Sequence, residues 1–172
     1  MQYSSIVEEH HAVRKAVGVF DVSHMGKFVI RGKGAYDFLE SVLSNGLKKI
    51  TDGRALYSLL LNEKGGVVDD VIVYQISRTH FFMIVNAATR EKDFRWLEAH
   101  NPENAELIDE SAAKTIVAVQ GPASEALLSK VFHFDFKLLR PFHFRTLDFS
   151  GEAMFVGATG YTGERGFEIV GL

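Results

Sequence analysis

Three extended segments follow one another in the middle of the chain with almost nothing between them. Residues 55–62, 67–76 and 80–85 are rich in Val, Ile, Leu, Tyr and Phe. Glu63-Lys64-Gly65-Gly66 joins the first two, and a short turn at Arg78-Thr79 joins the second to the third. Strands connected this tightly pair antiparallel, because a parallel return needs a crossover of about a dozen residues or more. A meander is therefore built into the chain, and other elements must cover its apolar face.

Helical segments are spaced around it. Ser5-Ile6-Val7-Glu8 has the spacing of a capping box, and Ile6, His10, Val13 and Val17 follow at helical intervals up to Gly18. Residues 35–43 predict a second helix carrying Phe38, Leu39 and Val42, closed by Asn45-Gly46. Residues 89–100 predict a third with Phe94, Trp96 and Leu97, ended by Asn101-Pro102. Residues 122–131 predict a fourth with Pro122 in its first turn. Residues 19–31, 115–119 and 167–170 are extended, and 142–149 with 152–156 form a hairpin across Ser150-Gly151. The expected class is α+β with largely antiparallel sheet. The strand near Leu172 is expected to present an unpaired, apolar edge, and self-association is the expected consequence.

Charge and composition exclude several functions. Lys plus Arg number 19 and Asp plus Glu 22, a net charge of −3, so the basic excess that displaces counterions from nucleic acid is missing. No apolar run approaches the roughly 18 residues of a membrane span. Met1-Gln2-Tyr3-Ser4-Ser5 has neither the basic nor the apolar region of a secretory leader, and none is expected. With no Cys, this chain forms no disulfide and holds no iron–sulfur cluster. No His stands four positions from a carboxylate, and adjacent His10 and His11 point about 100° apart on a helix, so no metal is expected. The 14 Phe, 5 Tyr and 1 Trp supply area for a dense core or for a pocket that takes a flat ligand.

Three segments are candidates for chemistry. In Gly65-Gly66-Val67-Val68-Asp69-Asp70-Val71-Ile72-Val73-Tyr74, alternation puts Asp70, Ile72 and Tyr74 on one face and Asp69, Val71 and Val73 on the other. One Asp must then share the face that the apolar residues bury. A carboxylate among apolar neighbours is a candidate proton acceptor or anchor for a ligand nitrogen. The alternative is that Asp69 caps the turn and Asp70 satisfies backbone donors. In Gly160-Tyr161-Thr162-Gly163-Glu164-Arg165-Gly166-Phe167-Glu168, glycines three apart allow tight turns and a close approach of backbone to a ligand. It lacks the Gly-Lys-Ser/Thr ending of a phosphate-binding loop and leads into a strand, so a plain Gly-rich connection is the alternative. His24, within Phe20-Asp21-Val22-Ser23-His24-Met25-Gly26, is either a ligand or base or a hydrogen-bonded core residue.

These segments, with Val13-Arg14-Lys15-Ala16-Val17-Gly18-Val19 ahead of Phe20, Asn62-Glu63-Lys64 ahead of Gly65, Val85-Asn86-Ala87-Ala88 and Val119-Gln120-Gly121-Pro122, run in one order along the chain. Together they resemble the T-protein of the glycine cleavage system, the folate-dependent aminomethyltransferase family. The resemblance implies a tetrahydrofolate pocket in a partial folate-binding region spanning 1–172, built of two interleaved sub-lobes. By that likeness Asp70 is the essential carboxylate beside the folate nitrogens. Met25, Tyr57, Tyr74 and Asn86 match positions lining the pterin and aminobenzoyl pocket. Tyr161 and Glu168 match the opposite side, where Glu168 accepts from pterin N–H groups. The implied reaction takes an aminomethyl group from the lipoyl arm of a partner H-protein, releases ammonia and leaves the one-carbon unit on tetrahydrofolate. The implied compartment is the cytoplasm, or the mitochondrial matrix in a eukaryote. The family's leading segment and C-terminal β domain are expected to be missing. A truncated transferase and a non-catalytic folate-binding or structural module therefore both stand as expectations.

Overall fold

The computed structural model describes residues 3–101 and 105–171; Met1, Gln2, Pro102 and Leu172, which the sequence reading used, lie outside them. The chain divides into two compact units, one formed by Met1–Ser23 with Thr115–Leu172 and the other by His24–Lys114. Among the described residues, two five-stranded antiparallel sheets and four α-helices give an α+β fold. Among the described residues no helix is long and apolar enough to cross a membrane.

In the His24–Lys114 unit the elements are β2 (Gly26–Arg31), α2 (Ala35–Val42), β3 (Arg54–Leu61), β4 (Val67–Ser77), β5 (His80–Val85), α3 (Arg90–His100) and β6 (Glu106–Asp109). The sheet order is β3-β4-β5-β2-β6. The predicted meander forms β3 to β5, and β2 adds to it antiparallel to β5. The core of this unit gathers Phe28, Ile30, Phe38, Leu39, Val71, Val73, Phe81, Met83 and Leu97. Phe28 meets Phe94 edge-to-face with ring centres 5.1 Å apart, the geometry that a ring's charge distribution favours. Each fully buried Phe contributes about 1.5–3 kcal/mol.

The other unit carries α1 (Ile6–Lys15), β1 (Gly18–Asp21), β7 (Thr115–Gln120), α4 (Ser124–Phe132), β8 (Phe144–Phe149), β9 (Glu152–Gly157) and β10 (Gly166–Gly171). Its sheet order is β1-β7-β10-β9-β8. Val119, Leu128, Phe136, Val156 and Phe167 form its core, with Phe136 and Phe167 edge-to-face at 4.9 Å.

Several expectations are corrected. The extended stretch 19–31 is two strands in two sheets, because the Asp21 carboxylate accepts from Ser23 N–H (2.9 Å) and turns the chain between them. The four-residue strand β6 is additional; it pairs with β2 from Phe28↔Asp109 to Arg31↔Glu106. The last strand is not an edge. β10 lies between β7 and β9 with partners on both sides, so the unpaired edge from which self-association was expected is absent there. Ser5 Oγ does accept from Glu8 N–H (3.2 Å), but the reciprocal acceptor is Glu9, which takes Tyr3 and Ser4 N–H. The apolar face predicted for α1 stays open at Ile6, which is 77% exposed. The fourth helix starts at Ser124, past Pro122.

Candidate functional site

The β3–β4 register sets Leu59 against Asp70 and Tyr57 against Ile72. Tyr57 and Asp70 are thus diagonal neighbours on one face, and the Tyr57 hydroxyl donates to Asp70 Oδ2 at 3.2 Å. On the other side, β4 and β5 pair Val71 with Val85, so Asn86 follows directly opposite Asp70. The Asn86 side-chain amide donates to Asp70 Oδ1 at 3.0 Å. Asp70 is half-buried and carries one donor on each oxygen. A carboxylate oxygen accepts more than one hydrogen bond, so Asp70 keeps acceptor capacity for a ligand N–H.

Asp69 faces the other way, with Val71 and Val73, and is buried. It accepts from Asn86 N–H (3.3 Å), Asn86 Nδ2 (3.0 Å) and Thr89 Oγ1 (2.8 Å). Alternation along β4 therefore separates the two carboxylates as the sequence implied, and the buried one is Asp69. Asp93 on α3 has no exposed surface and faces Asp69. Burial pushes the Asp93 carboxyl up to about 7, and the facing Asp69 adds to that. Burial acts on Asp69 in the same sense, but hydrogen bonds from Asp93, Asn86 and Thr89 outweigh it and hold Asp69 below the usual carboxylate range.

The remaining residues named from the sequence are placed as follows. Met25 is half-buried, immediately before β2, and His24 is exposed. Tyr74 has no open surface at all, with its ring 6.1 Å from Phe82, so it stands inside the packing and not on an open wall. Tyr57 is 45% exposed.

Tyr161 and Glu168 belong to the other unit. Glu168 is half-buried on β10 and accepts from Thr159 Oγ1. Tyr161 is 97% exposed, beside a shallow depression of about 360 Å³ lined also by Val13, Arg14 and Phe20. The loop bearing Tyr161 is held at its base by Gln120. The buried Gln120 amide donates to the carbonyls of Thr159 (3.2 Å) and Phe167 (3.3 Å) and accepts from Thr162 Oγ1 (3.0 Å). A Cβ at Gly160 or Gly166 would overlap that amide. These two glycines are required by close packing against Gln120. Gly166→Ala should therefore destabilise the chain by about 1–3 kcal/mol in urea unfolding.

Sequence reasoning missed Asp93, Thr89 and Gln120. For Asp93 a signal existed: it lies four residues before Leu97 and four after Thr89, on the stripe of α3 that faces the sheet.

The sequence matches the family described as GCVT N-terminal domain over residues 1–171. Curated relatives named aminomethyltransferase include those of Chloroherpeton thalassium and Geobacillus kaustophilus, each 47% identical over 170 residues, covering 98% of this chain and 47% of the relative. The chain thus spans about half the length of the curated relatives it matches. The crystal structure of glycine cleavage system aminomethyltransferase T from Bartonella henselae matches with a TM-score of 0.89 at 30% identity, over 99% of this chain and 46% of that one. The heterotetrameric sarcosine oxidase of Corynebacterium sp. U-96 shares the fold, with a TM-score of 0.66 at 14% identity over 95% of this chain and 81% of that one. Family match, sequence identity and fold agree: this chain belongs to the aminomethyltransferase family, the T-proteins of the glycine cleavage system.

Proposed function

We propose that this chain is the folate-binding part of an aminomethyltransferase, and that Asp70 is the group that handles a folate nitrogen. The observation that carries the reading is the Asp70 environment. Its carboxylate is half-buried, oriented from two sides by Tyr57 and Asn86, and retains acceptor capacity. A ring N–H needs an acceptor of that kind, held in place before the ligand arrives. Tyr57 and Met25 supply apolar surface in the same unit, and Tyr74 is fully buried there. Tyr161 and Glu168 are assigned to the same ligand on the motif match alone.

In the proposed reaction the donor is an aminomethyl group on the lipoyl arm of an H-protein, and tetrahydrofolate is the acceptor. Ammonia leaves, and Asp70 accepts a proton from one folate nitrogen or orients it, so that the other folate nitrogen attacks the iminium carbon being transferred. Asn86 and Tyr57 keep the carboxylate from rotating away. No metal is required by these roles. The proposed compartment is the cytoplasm, or the mitochondrial matrix in a eukaryote.

The test is a calorimetric titration of this chain with tetrahydrofolate, followed by a methylene-transfer assay with lipoylated H-protein. Saturable binding that Asp70→Asn or Tyr57→Phe weakens by no more than about tenfold is the expected result, since one hydrogen bond contributes about 0.5–1.5 kcal/mol net. Absence of saturable binding would overturn the folate assignment. Because the chain spans 47% of its curated relatives, binding without transfer would favour the second reading, a folate-binding module that leaves chemistry to other segments.

A further inference from the structure

Asp93 takes no part in the proposed chemistry, yet it is a fully buried carboxyl on a helix whose other buried residue is Leu97. Among the described residues, none donates a hydrogen bond to either of its oxygens. The charged and titratable groups that face it are few. Lys92, its neighbour on α3, holds its ammonium 3.6 Å from Oδ1 and donates instead to the Val68 carbonyl. From β4 it faces Asp69, and from the turn after β5 it faces the Thr89 hydroxyl. Thr89 has a single hydroxyl proton, which goes to Asp69 at 2.8 Å. Among the described residues no group of three or more His, Cys, Asp or Glu is arranged to hold a metal ion.

Two buried carboxyl groups that face each other share a proton, since charging both is strongly disfavoured. The surroundings say which group keeps it. Asp69 collects three donors, from Asn86 N–H, Asn86 Nδ2 and Thr89 Oγ1. Asp93 collects none. Three donors stabilise the anion, so Asp69 is the carboxylate and Asp93 the acid, donating its O–H to Asp69.

The arrangement reaches Asp70 through one amide. Asn86 Nδ2 lies 3.0 Å from Asp69 Oδ1 and 3.0 Å from Asp70 Oδ1. An amide nitrogen carries two hydrogens, and here each is used on a different carboxylate. The amide cannot turn over, because its oxygen would then face two anions. We propose that Asp93 is a positioning residue, which keeps the one proton of a buried Asp93–Asp69 pair and thereby fixes Asn86 and, through it, the Asp70 carboxylate. When the proton leaves, two anions stand in contact in the interior. Their repulsion is relieved by movement of Asp69, and the hold on Asn86 loosens. The importance of this for folate rests on the function proposed above; the proton and the amide bridge do not.

The sign of the pH effect follows from the direction of each shift. Asp93 is raised from 3.8 to about 7 when folded, so between those values the folded chain holds a proton that the unfolded chain has lost. Stability then falls as pH rises through that window and levels off above it, by at most about 10³-fold in the folding constant. Asp69 is lowered, so its stabilisation is present above its ordinary value and is lost only in stronger acid.

The experiment is a nuclear magnetic resonance titration of this chain, following the Asp93 carboxyl carbon and the Asn86 side-chain amide across two pH units either side of about 7. Both should move with one midpoint near neutrality. In Asp93→Asn the amide replaces the acid as donor to Asp69. The Asn86 resonances should then stay at their low-pH positions throughout, and the fall in stability with pH should vanish. In Asp93→Ala no donor remains, and the Asn86 amide should shift at every pH. An Asn86 amide that does not move in the unmodified chain would overturn the proposal, as would a midpoint that persists in Asp93→Asn. None of these readouts involves folate, so failure of the folate assignment leaves them unchanged.

Discussion

Asp70→Asn should lower one-carbon transfer by about 10²–10⁴-fold, the usual worth of a positioned proton acceptor, while tetrahydrofolate binding changes far less. The substitution keeps shape and removes charge. The new carbonyl can still accept from Asn86, and the new NH2 can turn to the Tyr57 hydroxyl, which accepts as well as donates. Both oriented contacts therefore have replacements, and stability should change by no more than about 1 kcal/mol. A proton acceptor acts when charge develops in the transition state, so its loss appears in turnover and not in ground-state affinity. The assay belongs in a chain of the relatives' full length, with lipoylated H-protein as donor. Equal losses in turnover and binding would instead make Asp70 an anchor for the ligand only.

What the sequence made legible was local. The meander of β3 to β5 follows from two tight turns, and the division of Asp69 from Asp70 follows from the two-residue period of a strand. Which of the two faces the core does not follow, because both share their faces with apolar residues: Val71 and Val73 on one side, Ile72 and Tyr74 on the other. It is decided by the helices α2 and α3, which cover the Val71 face. Non-local pairing was hidden for the same reason. β10 finds β7, whose residues lie nearly fifty positions earlier, with Phe167 against Val119. No pattern within either segment specifies that partner. β6 is four residues long with charged ends, too short to show a period. Asp93 was hidden because a helix with Arg90, Glu91, Lys92 and Arg95 around it reads as solvated, and a buried acid is tolerated there only because Asp69 is its partner.

Asp69→Ala should be the most destabilising of the polar substitutions considered, by about 3–5 kcal/mol, the range for breaking one side of a buried charged network. Four groups lose an acceptor at once: Asn86 N–H, Asn86 Nδ2, Thr89 Oγ1 and the acid of Asp93; Asn86 Nδ2 keeps Asp70, and Thr89 Oγ1 keeps the Asn86 carbonyl. Each buried donor left without a partner costs about 1–3 kcal/mol, and only those that can reach Asp70, the Asn86 carbonyl or water escape it. The sole Trp, Trp96, sits on α3 in the same unit, stacked on His100 with ring centres 4.1 Å apart. Its fluorescence in urea therefore reports the unfolding of the His24–Lys114 unit and not that of the other. The transition should move to lower urea with little change in slope, since the surface exposed on unfolding is nearly the same. Asp70→Asn, one residue away on the opposite face, should leave that transition almost where it was. If the two substitutions shifted it equally, Asp69 would not be the keystone of the packing behind Asp70, and the orientation of Asn86 would have to come from elsewhere.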